Sequence, residues 1–249
     1  MAPRLRGDDR PFAGKTTKDK MINCQLLIDL TLLDQQATED DIKQLAQKGA
    51  QYNVAALCVH SHHLNFIPPT STLTRATVIN FPTGNESHND MLNAIDQIAA
   101  NHFIQEIDYV FPYQRYLQGD KVWALSCSAD IYKRCKEHNL LLKVILETGA
   151  LPSSEAIYQL SLDVIHHGCD FLKTSTGKIA TGATIPAAQA MLTAIIDSQQ
   201  HCGIKLSGGI KTPEQATSYI VLAEKMMGKT ANKNWFRIGA SSLLDLLII

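Results

Sequence analysis

DFLKTSTGK, residues Asp170 to Lys178, places a lysine inside a short apolar run and follows it with a loop of small residues. A buried lysine loses the hydration of its ammonium group, so Lys173 needs a partner or a function. A lysine whose charge is disfavoured by burial or by another cation has a lowered pKa and becomes an amine nucleophile near neutral pH. Lys173 is therefore predicted to form a Schiff base.

Two further lysines occupy the same kind of position. Lys143 lies in LLLKVILE (140–147) and Lys205 in GIKLSGG (203–209). One buried lysine is as readily explained by a structural ion pair as by a function. Three on the same face of neighbouring strands would crowd one cavity, and each would make protonation of the others less favourable.

Short apolar runs recur along the chain at intervals of 21 to 35 residues. They begin at Leu26, Ala55, Ala76, Glu106, Leu141, Asp170, Gly203 and Trp235. This interval is the length of a β-strand with its crossover helix, and eight such units predict an α/β fold, a single (β/α)8 TIM barrel. An open doubly wound sheet has the same alternation, but no GxGxxG turn follows the first run.

Helix signals lie between the runs. Thr38 precedes three acidic residues and is predicted to cap a helix that ends near Gly49, and Ser153 to cap one that ends near Gly168. Thr212 before Pro213 opens another helix. An amphipathic segment from 130 to 139 precedes the fifth strand.

Composition excludes several classes of protein. The formal net charge of −1 argues against nucleic-acid binding, and no apolar stretch has the roughly 20 residues of a membrane helix. Residues 1–20 lack an apolar core, so we interpret them as a disordered or artificial leader before a barrel catalytic domain at 21–249. Six cysteines without a CxxC pair indicate reduced thiols and a cytoplasmic protein.

The carboxyl ends of the predicted strands supply one kind of chemistry. In a barrel these ends carry the active site. The side chains there are Asp29, Cys58, Asn80, Asp108, Lys143 with Glu147, Lys173 and Lys205, and Gly239 ends the eighth run. Carboxylates and amines together suit imine formation and proton transfer, although Asp108 alone would also fit a plain ion pair.

The loops after the last predicted strands have the composition of phosphate-binding sites. Small residues and free backbone amides at helix starts favour an anion, and barrels often bind phosphate after strands seven and eight. The candidate residues are Thr176, Gly177, Lys178, Ser207, Gly208, Gly209, Gly239, Ser241 and Ser242.

The segment HSHH, His60 to His63, raises the question of a metal. A zinc-dependent aldolase needs histidine ligands, but adjacent residues rarely converge on one ion and no third ligand is evident. We therefore predict no metal site and a polar loop, and leave the roles of His60, His62 and His63 open. Cys58 is predicted to be a small buried residue and not a reactive thiol.

Seven segments together resemble the deoxyribose-phosphate aldolase family of class I aldolases. They are IDLTLLD (28–34), VINFPTGN (78–85), EIDYVFPY (106–113), LLLKVILETGAL (140–151), DFLKTSTGK, GIKLSGGIKT (203–212) and FRIGASSLLDLL (236–247). They occur in the order found in the family and span residues 28 to 247.

The resemblance implies roles for individual residues. Lys173 would form the Schiff base, Lys205 would lower its pKa, Asp108 would be the proton-transfer acid and base, and Asp29 would join that relay. The loops named above would bind the phosphate. The implied reaction is reversible cleavage of 2-deoxy-D-ribose 5-phosphate to acetaldehyde and D-glyceraldehyde 3-phosphate without a cofactor. The partners would be these small molecules, and a homodimer is left open.

The sequence departs from the family in three places, of which the missing tail bears on turnover rate more than on reaction type. Leu206 stands where a proline or small residue is usual and is expected to alter the strand. His60 and Ser61 replace a tyrosine-proline pair, and the sequence ends at Ile249 without a tail ending in tyrosine. Two alternatives stay open: another Schiff-base aldolase or transaldolase, and a sugar-phosphate-binding protein without catalysis.

Overall fold

A computed structural model describes residues 24–101 and 103–248 of the chain, in which eight parallel strands close into a barrel. The strands are β1 (Ile28–Leu32), β2 (Ala56–Val59), β3 (Arg75–Ile79), β4 (Glu106–Val110), β5 (Leu141–Ile145), β6 (Phe171–Lys173), β7 (Gly203–Ser207) and β8 (Phe236–Ala240). The last strand pairs with the first, Asp29 lying opposite Gly239. The predicted barrel is confirmed and the open sheet is excluded. The predicted leader at 1–20 lies outside the described residues.

Helices cover the outside of the barrel. They are α1 (Glu39–Gln51), α2 (His88–Asn101), α3 (Tyr113–Leu117), α4 (Lys121–Glu137), α5 (Ser154–His167), α6 (Ile185–Ser198), α7 (Pro213–Met227) and α8 (Leu243–Leu247). The predicted caps are confirmed, because the hydroxyls of Thr38, Ser153 and Thr212 each accept a hydrogen bond from a backbone N–H in the first turn.

Two connections differ from the sequence prediction. Only 15 residues separate β2 from β3, and a 3₁₀ helix, Ser61–Phe66, takes the place of a full crossover helix there. Helix α4 begins at Lys121, nine residues before the predicted segment. Its buried face includes Ala124, Cys127 and Ser128, so the early turns show little contrast between apolar and polar positions.

The register of the barrel aligns the candidate residues. Asp108 of β4 lies opposite Lys143 of β5, and Lys173 of β6 lies opposite Lys205 of β7. Leu206 is fully buried and pairs with Ile238 in the regular ladder, so the expected alteration of β7 is wrong. The barrel therefore brings the acid and the lysines to neighbouring positions.

Candidate active site

Three buried lysines surround the carboxylate of Asp108. Lys173 Nζ lies 2.7 Å and Lys205 Nζ 2.8 Å from Asp108 Oδ2, and Lys143 Nζ lies 3.0 Å from Asp108 Oδ1. Asp108, Lys143 and Lys205 are fully buried, whereas Lys173 keeps 3% of its surface exposed. Lys173 is thus the lysine of the three that reaches the edge of the cluster.

A second set of charges lies behind these lysines. Lys205 Nζ is 2.6 Å from Asp29 Oδ2, an ion-pair contact without hydrogen-bond geometry. Arg237 Nη1 donates to Asp29 Oδ1 at 2.6 Å and its Nη2 donates to Glu106 Oε1 at 3.0 Å. Lys143 Nζ donates to Glu106 Oε2 at 2.5 Å. Glu106 and Arg237 were not among the predicted site residues. Glu106 is two residues before Asp108 on one strand, a spacing that puts both on the same face and could have indicated it.

The pKa of Lys173 is lowered. Burial is the largest cause, because it disfavours the ammonium form, and the positive charge of Lys205 lowers the pKa further. The carboxylate of Asp108 acts in the opposite direction without cancelling them. The neutral amine form of Lys173 is therefore more accessible than that of an ordinary lysine.

The pKa values of the other two lysines, Lys143 and Lys205, are raised and not lowered. Burial alone would lower the pKa of Lys143, but Asp108, Glu106 and Asp29 raise it to about 12. Burial is likewise outweighed at Lys205, where Asp108 and Asp29 raise the pKa above its ordinary value. Lys205 does lower the pKa of Lys143, as predicted, but the carboxylate partners outweigh this effect, so Lys143 and Lys205 remain cations.

Two carboxylates of the cluster, Asp108 and Asp29, remain ionised. Burial would raise the pKa of Asp108, but Lys143, Lys173 and Lys205 together hold it well below the usual range. Burial would also raise the pKa of Asp29, and Lys205, Arg237 and Lys143 lower it instead. Both side chains are therefore carboxylates that pair with the surrounding cations.

A cavity of about 260 Å³ opens beside Lys173 at the carboxyl ends of the strands. All nine residues predicted for phosphate binding line it together with Lys173: Thr176, Gly177, Lys178, Ser207, Gly208, Gly209, Gly239, Ser241 and Ser242. Lys211 and Thr31 also line it and were not predicted. The cavity thus has the amine and two further lysines, Lys178 and Lys211, on its walls.

Hydrogen bonds within the loops occupy some of the predicted phosphate donors. Thr176 directs its hydroxyl to Glu147 Oε2 at 2.5 Å and its N–H toward the same carboxylate. Ser207 donates its N–H to Thr174 Oγ1 at 2.9 Å and its hydroxyl to Ser175 O at 2.6 Å. These contacts fix the shape of the loops, and a phosphate role for Thr176 and Ser207 stays a prediction.

Three glycines give the cavity its shape. Gly208 and Gly209 have φ values of +88° and +82°, a conformation that residues with a Cβ rarely adopt. At Gly239 a Cβ would lie 3.0 Å from Lys205 Cε and 2.9 Å from Ser207 Cβ. A side chain at Gly239 would therefore press on the lysine that faces Asp108.

The HSHH segment is not a plain polar loop. His60 precedes the 3₁₀ helix Ser61–Phe66, His63 within it is buried, and the rings of His62 and His63 are 4.0 Å apart between centroids. Within residues 24–101 and 103–248, no group of three or more His, Cys, Asp or Glu side chains could hold a metal ion.

Cys58 is fully buried and burial raises the pKa of its thiol.

Comparison with known proteins places the chain in a family. A family model described as DeoC/LacD family aldolase matches residues 24–247. The chain belongs to the DeoC/LacD family of aldolases. A DeoC/LacD relative from Agrobacterium fabrum strain C58, named deoxyribose-phosphate aldolase, is 39% identical over 226 residues, covering 88% of this chain and 86% of the relative. The resemblance inferred from the seven segments is therefore confirmed.

Solved structures share the fold of this DeoC/LacD aldolase. A Coccidioides immitis protein superposes with a TM-score of 0.79 at 24% identity, covering 92% of this chain and 87% of its own. The tetrameric deoxyribose phosphate aldolase from Aeropyrum pernix gives a TM-score of 0.76 at 22% identity, with 94% and 91% coverage. Among the described residues, no helix is long and apolar enough to cross a membrane.

Proposed function

We propose that this aldolase cleaves 2-deoxy-D-ribose 5-phosphate reversibly to acetaldehyde and D-glyceraldehyde 3-phosphate through a Schiff base on Lys173. The observation that carries the proposal is the position of Lys173, which lines the cavity and lies 2.7 Å from Asp108 Oδ2. Its lowered pKa supports the same role. The named substrate of the Agrobacterium relative supports the choice of sugar.

The amine of Lys173 starts the reaction. It attacks the aldehyde carbon of the open-chain sugar, and loss of water gives an iminium. The iminium accepts the electron pair of the breaking carbon–carbon bond, which leaves an enamine on the lysine and releases the phosphorylated aldehyde. Protonation of the enamine and hydrolysis then release acetaldehyde and restore the amine.

Asp108 moves the protons. Its Oδ2 contacts Lys173 Nζ directly, so it accepts a proton from the nitrogen, and through a water it removes the proton of the hydroxyl beside the breaking bond. Lys205 contacts both Asp108 and Asp29, so it links Asp29 to this relay. Its positive charge also favours the neutral amine at Lys173.

The substrate phosphate is assigned to the loops that line the cavity. Lys178 and Lys211 supply cations there, and Gly208, Gly209 and the Ser241-Ser242 turn bring backbone close to the space. A small sugar phosphate suits a cavity of about 260 Å³, near the lower end of ligand pockets.

Product analysis tests the substrate. Purified protein incubated with deoxyribose 5-phosphate should release acetaldehyde and glyceraldehyde 3-phosphate in equal amounts. Trapping of acetaldehyde on the protein by borohydride without this cleavage would instead favour another Schiff-base aldolase or transaldolase. Binding of the sugar phosphate with neither cleavage nor adduct would favour a binding protein.

Replacing Lys205 with methionine is expected to move the rise of activity with pH upward by about one unit. The cation that disfavours the ammonium of Lys173 is lost, and Asp108 keeps fewer cations to offset its own charge, so the pKa of Lys173 rises. The pH dependence of turnover measures this shift. Lys205→Arg, which keeps the charge, is the matched control, and an unmoved profile in Lys205→Met would remove Lys205 from this role.

Replacing Lys178 or Lys211 with methionine is expected to raise KM for deoxyribose 5-phosphate roughly tenfold, with kcat little changed. Both lysines line the cavity, so each loss removes a charge-assisted contact to phosphate. The KM for unphosphorylated deoxyribose should not change. Lys43→Met, on the exposed side of α1, is the control; equal effects on both sugars would contradict the phosphate assignment.

Two further properties stay predictions. A cytoplasmic location is supported by the six cysteines, all of them free and buried. A homodimer is a proposal whose test is the mass of the protein in solution.

A further inference from the structure

Glu106 and Arg237 form a buried layer of charge that the reaction scheme does not use. Arg237 of β8 bridges two carboxylates from other strands, Asp29 of β1 and Glu106 of β4. Glu106 uses its second oxygen to bind Lys143 of β5. Arg237 is 4% and Glu106 3% exposed, and neither lines the cavity, so neither can touch the substrate.

We propose that Glu106 and Arg237 are positioning residues that set the pH range in which Lys173 reacts, because Glu106 holds Lys143 against one oxygen of Asp108 and Arg237 holds Asp29 against Lys205, which contacts the other oxygen. The proposal rests on the Schiff-base function proposed for Lys173. It concerns residues that act through others, and not further catalytic residues.

The contacts divide the two oxygens of Asp108 between different partners. Lys143, anchored by Glu106, occupies Oδ1, which leaves Oδ2 to Lys173 and Lys205. Asp29, anchored by Arg237, contacts Lys205 through its other oxygen. Glu106 therefore fixes Lys143, which contacts Asp108. Arg237 fixes Asp29, which contacts the other lysine at Asp108, Lys205.

The charge balance of the cluster depends on the same pair. Its ionisable groups are three carboxylates, Asp29, Glu106 and Asp108, and four bases, Lys143, Lys173, Lys205 and Arg237. With every group ionised the bases exceed the acids by one charge, and the cluster is neutral when Lys173 is an amine. Because an unbalanced charge is costly in a buried site, this count favours the amine.

Removing the charge of Glu106 and removing the charge of Arg237 should shift the charge balance of the cluster in opposite directions. The groups that face Lys173 itself stay in place: Asp108 from β4, Lys205 from β7, Cys58 from β2, and Glu147 after β5, whose carboxylate is bound by Thr176. Loss of the Glu106 carboxylate favours the amine, and loss of the Arg237 cation favours the ammonium.

Borohydride trapping of the acetaldehyde adduct across a pH series tests the proposal. The midpoint of trapping should fall by about half a pH unit in Glu106→Gln, rise by about half a unit in Arg237→Met, and return to the wild-type value in the double variant. Arg237→Lys keeps the charge and should keep the midpoint even if the rate falls.

Equal midpoints in all variants that fold, or shifts of the same sign, would overturn the proposal, because a merely structural role lowers the rate without opposite shifts. Glu106→Gln preserves shape, so it supplies a folded variant if Arg237→Met does not fold. No adduct in the wild type would instead mean that the Schiff-base function itself is wrong.

Discussion

Replacing Lys173 with methionine is expected to lower cleavage of deoxyribose 5-phosphate by about 10⁴-fold or more. Without the amine no imine forms, and the breaking bond has no electron sink. Initial rates of acetaldehyde release measure the loss, and borohydride should trap no adduct. The protein should stay folded, because the carboxylate of Asp108 is still paired with two other lysines.

The same variant separates catalysis from binding. Asp108 keeps Lys143 and Lys205 as partners, so the rest of the cluster stays paired. Binding of glyceraldehyde 3-phosphate should therefore be retained, and Lys43→Met should behave as the wild type in every assay. Cleavage at the wild-type rate in Lys173→Met would exclude the mechanism.

Replacing Asp108 with asparagine is expected to lower turnover by about 10²- to 10⁴-fold while adduct formation persists. The amide cannot accept and return protons. Loss of the carboxylate also removes the group that raises the pKa of Lys173, so trapping by borohydride should extend to lower pH. Turnover and trapping measured across one pH series would show the two effects separately.

Asp108→Asn should also destabilise the barrel. Three lysines lose their shared carboxylate, and breaking buried ion pairs costs about 3–5 kcal/mol. Urea unfolding measures this loss of free energy. A variant with wild-type turnover, or one in which trapping needs a higher pH, would contradict the role given to Asp108.

The fold and the candidate nucleophile Lys173 were predictable because both depend on local patterns. Apolar runs at the spacing of strand and helix predict a barrel, and the barrel places strand-end residues such as Lys173 and Asp108 at one face. Capping residues such as Thr38 define helix starts by contacts only three residues away.

The raised pKa values of Lys143 and Lys205 were not predictable, because they depend on partners distant in sequence. Lys205 meets Asp108 across 97 residues, and Arg237 meets Asp29 across 208. Burial lowers the pKa of Lys143, but the carboxylates of Asp108, Glu106 and Asp29 raise it by more and keep this lysine charged. Hydrogen bonds that engage Thr176 and Ser207 depend on loop geometry that a list of small residues does not contain.

Peptide mapping of the borohydride-reduced acetaldehyde adduct is the most direct test of the central claim, that Lys173 is the amine nucleophile of this aldolase. The ethyl group should appear on Lys173 and increase with pH through a midpoint below that of an ordinary lysine. Lys143 and Lys205 should stay unmodified over the same range. An adduct on either of those lysines, or none on Lys173, would contradict the account.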